Sequence, residues 1–374
     1  NILQIGLYGM FGGVMSATIF DIFGVQLAWW VYAALAMLSV AVLGYRNIDL
    51  SARLLSVVVV AEYLAVLVLD FCILRAGGDH GVNLDSFAPA NVMSGTPSIG
   101  LLFAFAAFIG FEATTIYGEE AKNPKRAIPI ATYTSVLLIG AFYGISLWAL
   151  IIGAGSDKVV KLLEHMQDPT AFIYVMSDHY AGGGLTAVIR ILFVISIYAG
   201  LLAFHSSAAR YFYAVGRDGL LHRLLGTTHK TYQSPHMGSA LQSAIAAVVV
   251  TLFAVSGAHP ILHLFAWFSS LAALCLMLLM IMTSAAVICY FRRRPEACDS
   301  AWRVRILPTV SLVALLYILC TAILHFDVLT GASKSMSWAL CSMIPLAILI
   351  GVMLASRLRR CAPMRFAALG SHKL

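Results

Sequence analysis

Apolar runs of about twenty residues recur almost from end to end of this chain, each long enough to cross the hydrocarbon of a bilayer as a helix. Ten are recognised, over residues 2–24, 27–45, 52–74, 98–118, 130–153, 185–211, 237–256, 261–291, 304–326 and 337–357. Lipid offers a peptide group no hydrogen-bond partner, so a spanning segment satisfies its backbone as a helix or inside a closed barrel. Runs of this length select the helix. The 374 residues are 61% hydrophobic and only 11% charged, whereas soluble chains are about 25% charged. That balance excludes a soluble globule, and it equally excludes a disordered chain, which needs low hydrophobicity and many charges. The fold class that follows is an all-α polytopic membrane protein.

The charges mark the orientation. The formal net charge is +7. Loops on one side of the span pattern carry Arg46, Arg53, Lys122, Lys125, Arg126, Arg210, Arg217, Arg223 and Lys230, then Arg292, Arg293, Arg294, Arg303, Arg305, Arg357, Arg359, Arg360, Arg365 and Lys373. Those are 19 of the 24 lysines and arginines, and the opposite side holds Arg75, Lys158, Lys161, Arg190 and Lys334. The split holds only if every loop alternates sides, so a miscounted span would scramble it. Basic residues collect on the cytoplasmic side of membrane proteins. The expected placement is therefore a multi-pass protein of the cytoplasmic membrane with both ends of this chain inside. The basic charge thus needs no nucleic-acid partner. The chain opens at Asn1 directly into an apolar run with no basic region before it, which does not read as a signal peptide and suggests a chain lacking its upstream part.

Catalytic signatures are missing. No lysine follows a glycine, so there is no phosphate-binding loop, and neither G-x-S-x-G nor H-E-x-x-H occurs. The seven cysteines form no C-x-x-C pair and read as small core residues. His259 and His263 share a helix face at metal-ligand spacing, but no acid or cysteine stands near them in sequence, and histidine is common at the membrane interface. No metal, cofactor or enzymatic activity is expected. Two loops are more than connectors. Residues 156–181 contain two short amphipathic helices, 159–166 and 169–180, placed either to cap the outer mouth or to lie in the interface. Residues 216–234 are polar and basic and are expected along the inner membrane surface.

Ionisable groups at bilayer depth are functional candidates by default. Glu62 lies near the middle of its span among Leu55, Val58, Val59, Ala65, Val66 and Leu69. A carboxyl there must find a partner, face water or stay protonated, so it reads either as a proton carrier or as a structural acid bonded to a carbonyl. Glu112 stands in Phe108-Ile109-Gly110-Phe111-Glu112-Ala113-Thr114-Thr115, where the helical pattern weakens between flanking apolar runs. A span broken at mid-depth frees N–H and C=O groups, and these are tolerated where they line a cavity. The free ends carry partial charges suited to a zwitterion, N–H for a carboxylate and C=O for an amine. The alternative is a glycine-packed helix with one buried acid. Gly6, Gly9, Gly12 and Gly13 give the first run a small face suited to close packing. His205, Ser206 and Ser207 either line a path or bond within their own helix.

Residues 110–129, GFEATTIYGEEAKNPKRAIP, resemble the sixth span and following loop of amino acid–polyamine–organocation permeases, and residues 206–219, SSAARYFYAVGRDG, resemble the end of that family's eighth span. The resemblance covers essentially the whole chain. It implies the LeuT-type inverted-repeat fold, with ten spans equivalent to spans three to twelve of a twelve-span permease. In that register residues 1–75 are the remnant of the first repeat. Residues 98–291 are the second repeat, with its sixth span unwound near 106–115. Residues 304–357 are the two appended spans and residues 358–374 a cytoplasmic tail. It also implies an activity, secondary transport of amino acids or related amines, with proton-coupled uptake by alternating access ahead of exchange without net ion coupling or substrate sensing without transport. The matching site residues are Ala106 and Ile109, whose carbonyls would hold the substrate amine, with Gly110 at the kink and Phe204 as an aromatic contact. Where some relatives have a gating aromatic this chain has Ala106, and Phe105 or Phe108 is the expected substitute. Glu112 matches an acid linked to coupling or pH response. Glu62 takes a position where proton-coupled members carry a lysine.

Overall fold

The computed structural model describes residues 1–46, 52–93, 97–116, 123–166, 169–294, 300–367 and 369. Among the described residues the regular structure is helical: α1 (Ile2–Phe23), α2 (Trp29–Tyr45), α3 (Ala52–Ala76), α4 (Pro97–Ala107), α5 (Ala113–Ile116) and α6 (Pro124–Ala154) are followed by the short α7 (Val159–His165) and α8 (Phe172–Tyr180). Then come α9 (Gly183–Arg217), α10 (His236–Val255), α11 (Pro260–Arg293), α12 (Trp302–Leu324) and α13 (Lys334–Cys361). Eight of these are long and apolar enough to cross a membrane; α2 is shorter at 17 residues, and the tenth expected span is the broken pair α4–α5. The ten apolar runs of the sequence therefore each become a helix or a pair of helices. The expected amphipathic segments of the 156–181 loop are α7 and α8. Glu119, Glu120, Lys122, Cys298 and Lys373 lie outside the described residues.

The small face of α1 is a packing face. A Cβ on Gly9 would stand 2.6 Å from the Pro260 carbonyl oxygen, and one on Gly12 would stand 2.5 Å from that of Trp29. Glycine lets the starts of α11 and α2 lie directly against the α1 backbone. The helix stops at Gly24, whose φ of +67° forms a left-handed cap with its N–H on Phe20 O at 2.8 Å.

Three large apolar clusters, and a smaller one of Val14, Ile197 and Ile261, hold the bundle among the described residues. Ile5 and Tyr8 of α1 meet Ala33, Ala36 and Val40 of α2, Leu201 of α9, and Ala246 and Val250 of α10. Leu69 and Ile73 of α3 meet Leu150 of α6, Met176 of α8 and Ile189 of α9. Leu271, Leu274 and Met277 of α11 meet Leu315 of α12 and Leu340 of α13. Outward faces carry Leu137, Val248, Val313 and Leu349, all exposed, as a surface meeting lipid tails should. The cysteines depart from expectation: of the six described, Cys289, Cys320 and Cys361 are exposed, because they fall on outward faces of α11, α12 and α13. None of the six is in a disulfide.

Candidate functional site

The expected break is present. Helical structure ends at Ala107, residues 108–112 form turns, and four helical residues follow. Gly110 has a φ of +114°, a backbone region that side chains strain to enter, and no atom stands near the position a Cβ would take. The glycine is therefore there for the backbone conformation and not for space. The ladder tightens to three-residue steps: Phe108 N–H donates to Phe105 O (3.1 Å), Ile109 to Ala106 O (3.2 Å) and Phe111 to Phe108 O (3.3 Å). The Gly110 N–H turns instead to the Glu112 carboxylate, donating to Oε2 at 2.8 Å. Thr115 donates its N–H and its hydroxyl to Glu112 O, and Thr114 donates to Phe111 O. A 2.8 Å bond between the Thr114 and Thr132 hydroxyls ties the break to α6. Polar side chains thus answer the groups that the break releases.

The side chains of the segment point different ways. Phe105 packs against the α11–α12 cluster. Phe108 faces α6, its ring tip 3.5 Å from where a Cβ on Gly140 would lie. Ala106, Ile109, Gly110 and Glu112 are half-buried. The Ala106 carbonyl, already bonded to Ile109 N–H, keeps a second lone pair for an amine. Chain continuity thus collects six of the expected site residues, Phe105, Ala106, Phe108, Ile109, Gly110 and Glu112, at one break. Phe204 is half-buried on α9, a helix packed on α1, α2, α3, α8 and α10. Glu62 is on α3 and accepts a 3.2 Å hydrogen bond from Ser196 of α9 through Oε2, while Oε1 is buried without a partner.

Sequence reasoning missed two polar features. Asp70 of α3 is 2% exposed; Ser146 of α6 donates to its Oδ2 at 2.6 Å, and Oδ1 is buried and unpartnered. The second is a chain of buried polar side chains through α1, α9 and α10. Gln4 donates to the Tyr8 hydroxyl (2.9 Å) and lies 3.2 Å from His205 Nδ1. His205 Nε2 meets the Ser239 hydroxyl at 2.7 Å, and Gln242 donates to Gln4 Oε1 at 2.5 Å. With Gln4 donating to Nδ1, the neutral ring carries its proton on Nε2 and donates to Ser239. Gly44 of α2 closes over the ring, since a Cβ there would sit 2.6 Å from Nε2. A scan for charge passes over glutamines; a scan for any amide inside a span would have found Gln4 and Gln242.

The paired histidines are accounted for without metal. His259 Nδ1 accepts the N–H groups of Ile261 and Leu262, and His263 Nδ1 accepts that of His259. Both rings cap the first turn of α11. On the same side as the α3 C-terminus, Asp79, His80 and Asp157 place ligand-type atoms within 4.8 Å of one another. Lys158 already occupies the group, its Nζ 2.6 Å from Asp79 Oδ2. That hydrogen bond holds the Asp79 carboxyl below the usual range and raises Lys158 above its own. The arrangement is an exposed ion-pair network.

A model of the family described as "Amino acid permease" matches residues 2–354. The methylthioribose transporter of Bacillus subtilis is 25% identical over 284 residues, which are 75% of this chain and 56% of that protein. An uncharacterized transporter of Legionella pneumophila is 28% identical over 207 residues, 53% of this chain and 42% of its own length. The low-affinity putrescine importer PlaP of Escherichia coli is 28% identical over 145 residues, 38% of this chain and 31% of the importer. The chain thus spans about half the length, or less, of the curated relatives it matches.

Proposed function

Because the chain belongs to the amino acid permease family, a family of multi-pass membrane transporters rather than enzymes, we propose that its substrate is an amino acid or related amine and that protons drive uptake by alternating access. The observation that carries this reading is the break at residues 108–112, where Gly110 leaves helical geometry and the Glu112 carboxylate caps its N–H. Carbonyl oxygens with a lone pair to spare stand there at mid-span, together with one carboxyl group. An amine is the cation such a site attracts, held by Glu112 and by the free lone pair of Ala106 O. Phe105 and Phe108 flank the break as aromatic walls, and Phe204 is the contact proposed from α9. The named relatives, a putrescine importer and a methylthioribose transporter, are consistent with small polar organic substrates.

Proton coupling is supported by Glu62. Its buried, unpartnered Oε1 is where a proton removes an otherwise unpaired charge from the membrane interior. The Ser196 bond joins α3 to α9, so protonation acts on the contact between two spanning helices. The proposed frame places the basic ends of the helices in the cytoplasm of a cell whose plasma membrane holds the protein. The test is uptake of a radiolabelled amino acid and amine panel by the complete protein in liposomes, with and without an inward pH gradient. Accumulation of at least one amine-bearing compound that collapses with the gradient is expected. Gradient-independent exchange would replace the coupling assignment, and no flux of any compound would overturn the reading.

A further inference from the structure

The α3 helix carries two membrane-buried carboxyls, and the function proposed above uses one. Glu62 and Asp70 are eight residues apart, about 12 Å along the axis. Their settings match. Each accepts one hydrogen bond from a serine on a neighbouring helix, Ser196 for Glu62 and Ser146 for Asp70. Each leaves its second oxygen buried with no partner. Asp70 is the more enclosed, at 2% exposure, beside Leu69 and Ile73 in the cluster completed by Leu150, Met176 and Ile189. It stands six residues, about 9 Å along the axis, before the end of α3, and the Asp79–His80–Asp157–Lys158 network begins three residues beyond that end.

No cation is paired with it among the described residues. Among the described residues, Arg190 of α9 is paired with Asp21 and lies over the Tyr174 ring. Tyr180 of α8 donates to Gly153 O, and Asp178 and His179 on the same helix are exposed. Tyr143 of α6 is exposed, and on α3 itself Arg75 is exposed and Cys72 is a free cysteine. What the structure offers at Oδ1 is a single buried carboxyl oxygen with no hydrogen-bond partner. A proton needs one oxygen only.

From this geometry we infer that Asp70 is a second proton-binding carboxyl, taking a proton on Oδ1 from the side of the Asp79 network, ahead of Glu62 on the same helix. The step moves a proton from water to Oδ1, forming an O–H, and releases it again as the carboxylate is re-exposed. The inference rests on the proton-coupled reading for its role in transport, but proton binding by itself is measured separately.

The test is pH-difference infrared spectroscopy on the complete protein in lipid, using wild type, Asp70→Asn, Glu62→Gln and Ser146→Ala. A pH-dependent carboxylic-acid C=O band that vanishes in Asp70→Asn, survives in Glu62→Gln and shifts in Ser146→Ala is the expected result. Ser146→Ala removes only the hydrogen bond to Oδ2, so it also reports if the Asn variant fails to fold. A band set unaltered by Ser146→Ala, or one that gains the same change from sodium as from acid, overturns the inference. In the parallel flux assay, Asp70→Asn is expected to reduce pH-driven accumulation to passive leak while counterflow of substrate persists. If the Asp70 band is present but wild type shows no pH-driven flux, the coupling reading falls and proton binding at Asp70 stands.

Discussion

The α1 helix and the α4–α5 segment both carry polar groups into the membrane, and they treat them in opposite ways. In α1, Gln4 and Tyr8 are fully buried and tied through His205, Ser239 and Gln242 to two other helices. In α4–α5 the polar groups are half-buried or, for Thr115, exposed, and bonded mainly within the segment, with one hydroxyl bond to α6. Long-range polar bonding between helices fixes their relative position, because moving one helix orphans several partners at once. Local bonding leaves a segment free to shift as a unit. The comparison teaches which part of the bundle is tied to its neighbours by polar bonds and which part is held mainly by its own, as the proposed site would require. It extends to the apolar faces: 44% of the α1 apolar window is buried, against 6% for α13, which mostly faces lipid.

The sharpest way to break this contrast is to disrupt the lock. His205→Ala takes one of the Gln4 amide's hydrogen bonds and leaves the Ser239 hydroxyl without its ring partner, at about 1–3 kcal/mol for an orphaned buried group, plus a cavity under Gly44. The largest fall in detergent melting temperature of any substitution here is expected; an unchanged melting curve would show that the network does not hold the scaffold. Gly110→Ala comes next, forcing a side chain into φ +114° at about 1–3 kcal/mol of local strain. Transport is expected to fail with a smaller thermal shift than for His205→Ala, and the reverse order would erase the distinction between the two regions.

Glu112→Gln sharpens the comparison, because glutamine Oε1 still accepts the Gly110 N–H while the charge is gone. Stability should hold within about 0.5 kcal/mol, as for changes that keep their hydrogen bonds, while amine uptake is lost. The smallest effect belongs to Lys158→Met in the exposed network. The folded Asp79 pKa is depressed, so its contribution is present above the ordinary carboxylate value of 3.8 and lost as pH falls below it. Lys158 is raised, so its contribution is present below its ordinary 10.5 and lost as pH rises beyond that. A slight, salt-sensitive destabilisation between those limits is expected in a melting series, since exposed pairs are screened.

How much of this the residues announced depends on the signal each one gives. The break was legible because Gly110, Glu112 and two threonines interrupt an apolar run, and few other structures tolerate that combination in lipid. The small face of α1 was legible as close packing, although its partners, Pro260 and Trp29, were not. Asp70 was hidden by position: six residues from a helix end, an acid looks interfacial, and only the packing of α6 and α8 over α3 buries it. The amide–histidine network was hidden by chemistry, since Gln4 and Gln242 carry no charge and stand far apart in sequence.

The central claim, that substrate binds at the broken span, is tested most directly by protection of a single cysteine. Ala106→Cys, placed in a background with the seven native cysteines replaced, is labelled with a membrane-permeant maleimide in lipid, with and without the amine-bearing compound that the uptake panel identifies. The account predicts that substrate slows labelling at position 106 and leaves a control cysteine at Leu349, on the exposed face of α13, unaffected. Equal labelling with and without substrate, in protein that still transports it, would contradict the account.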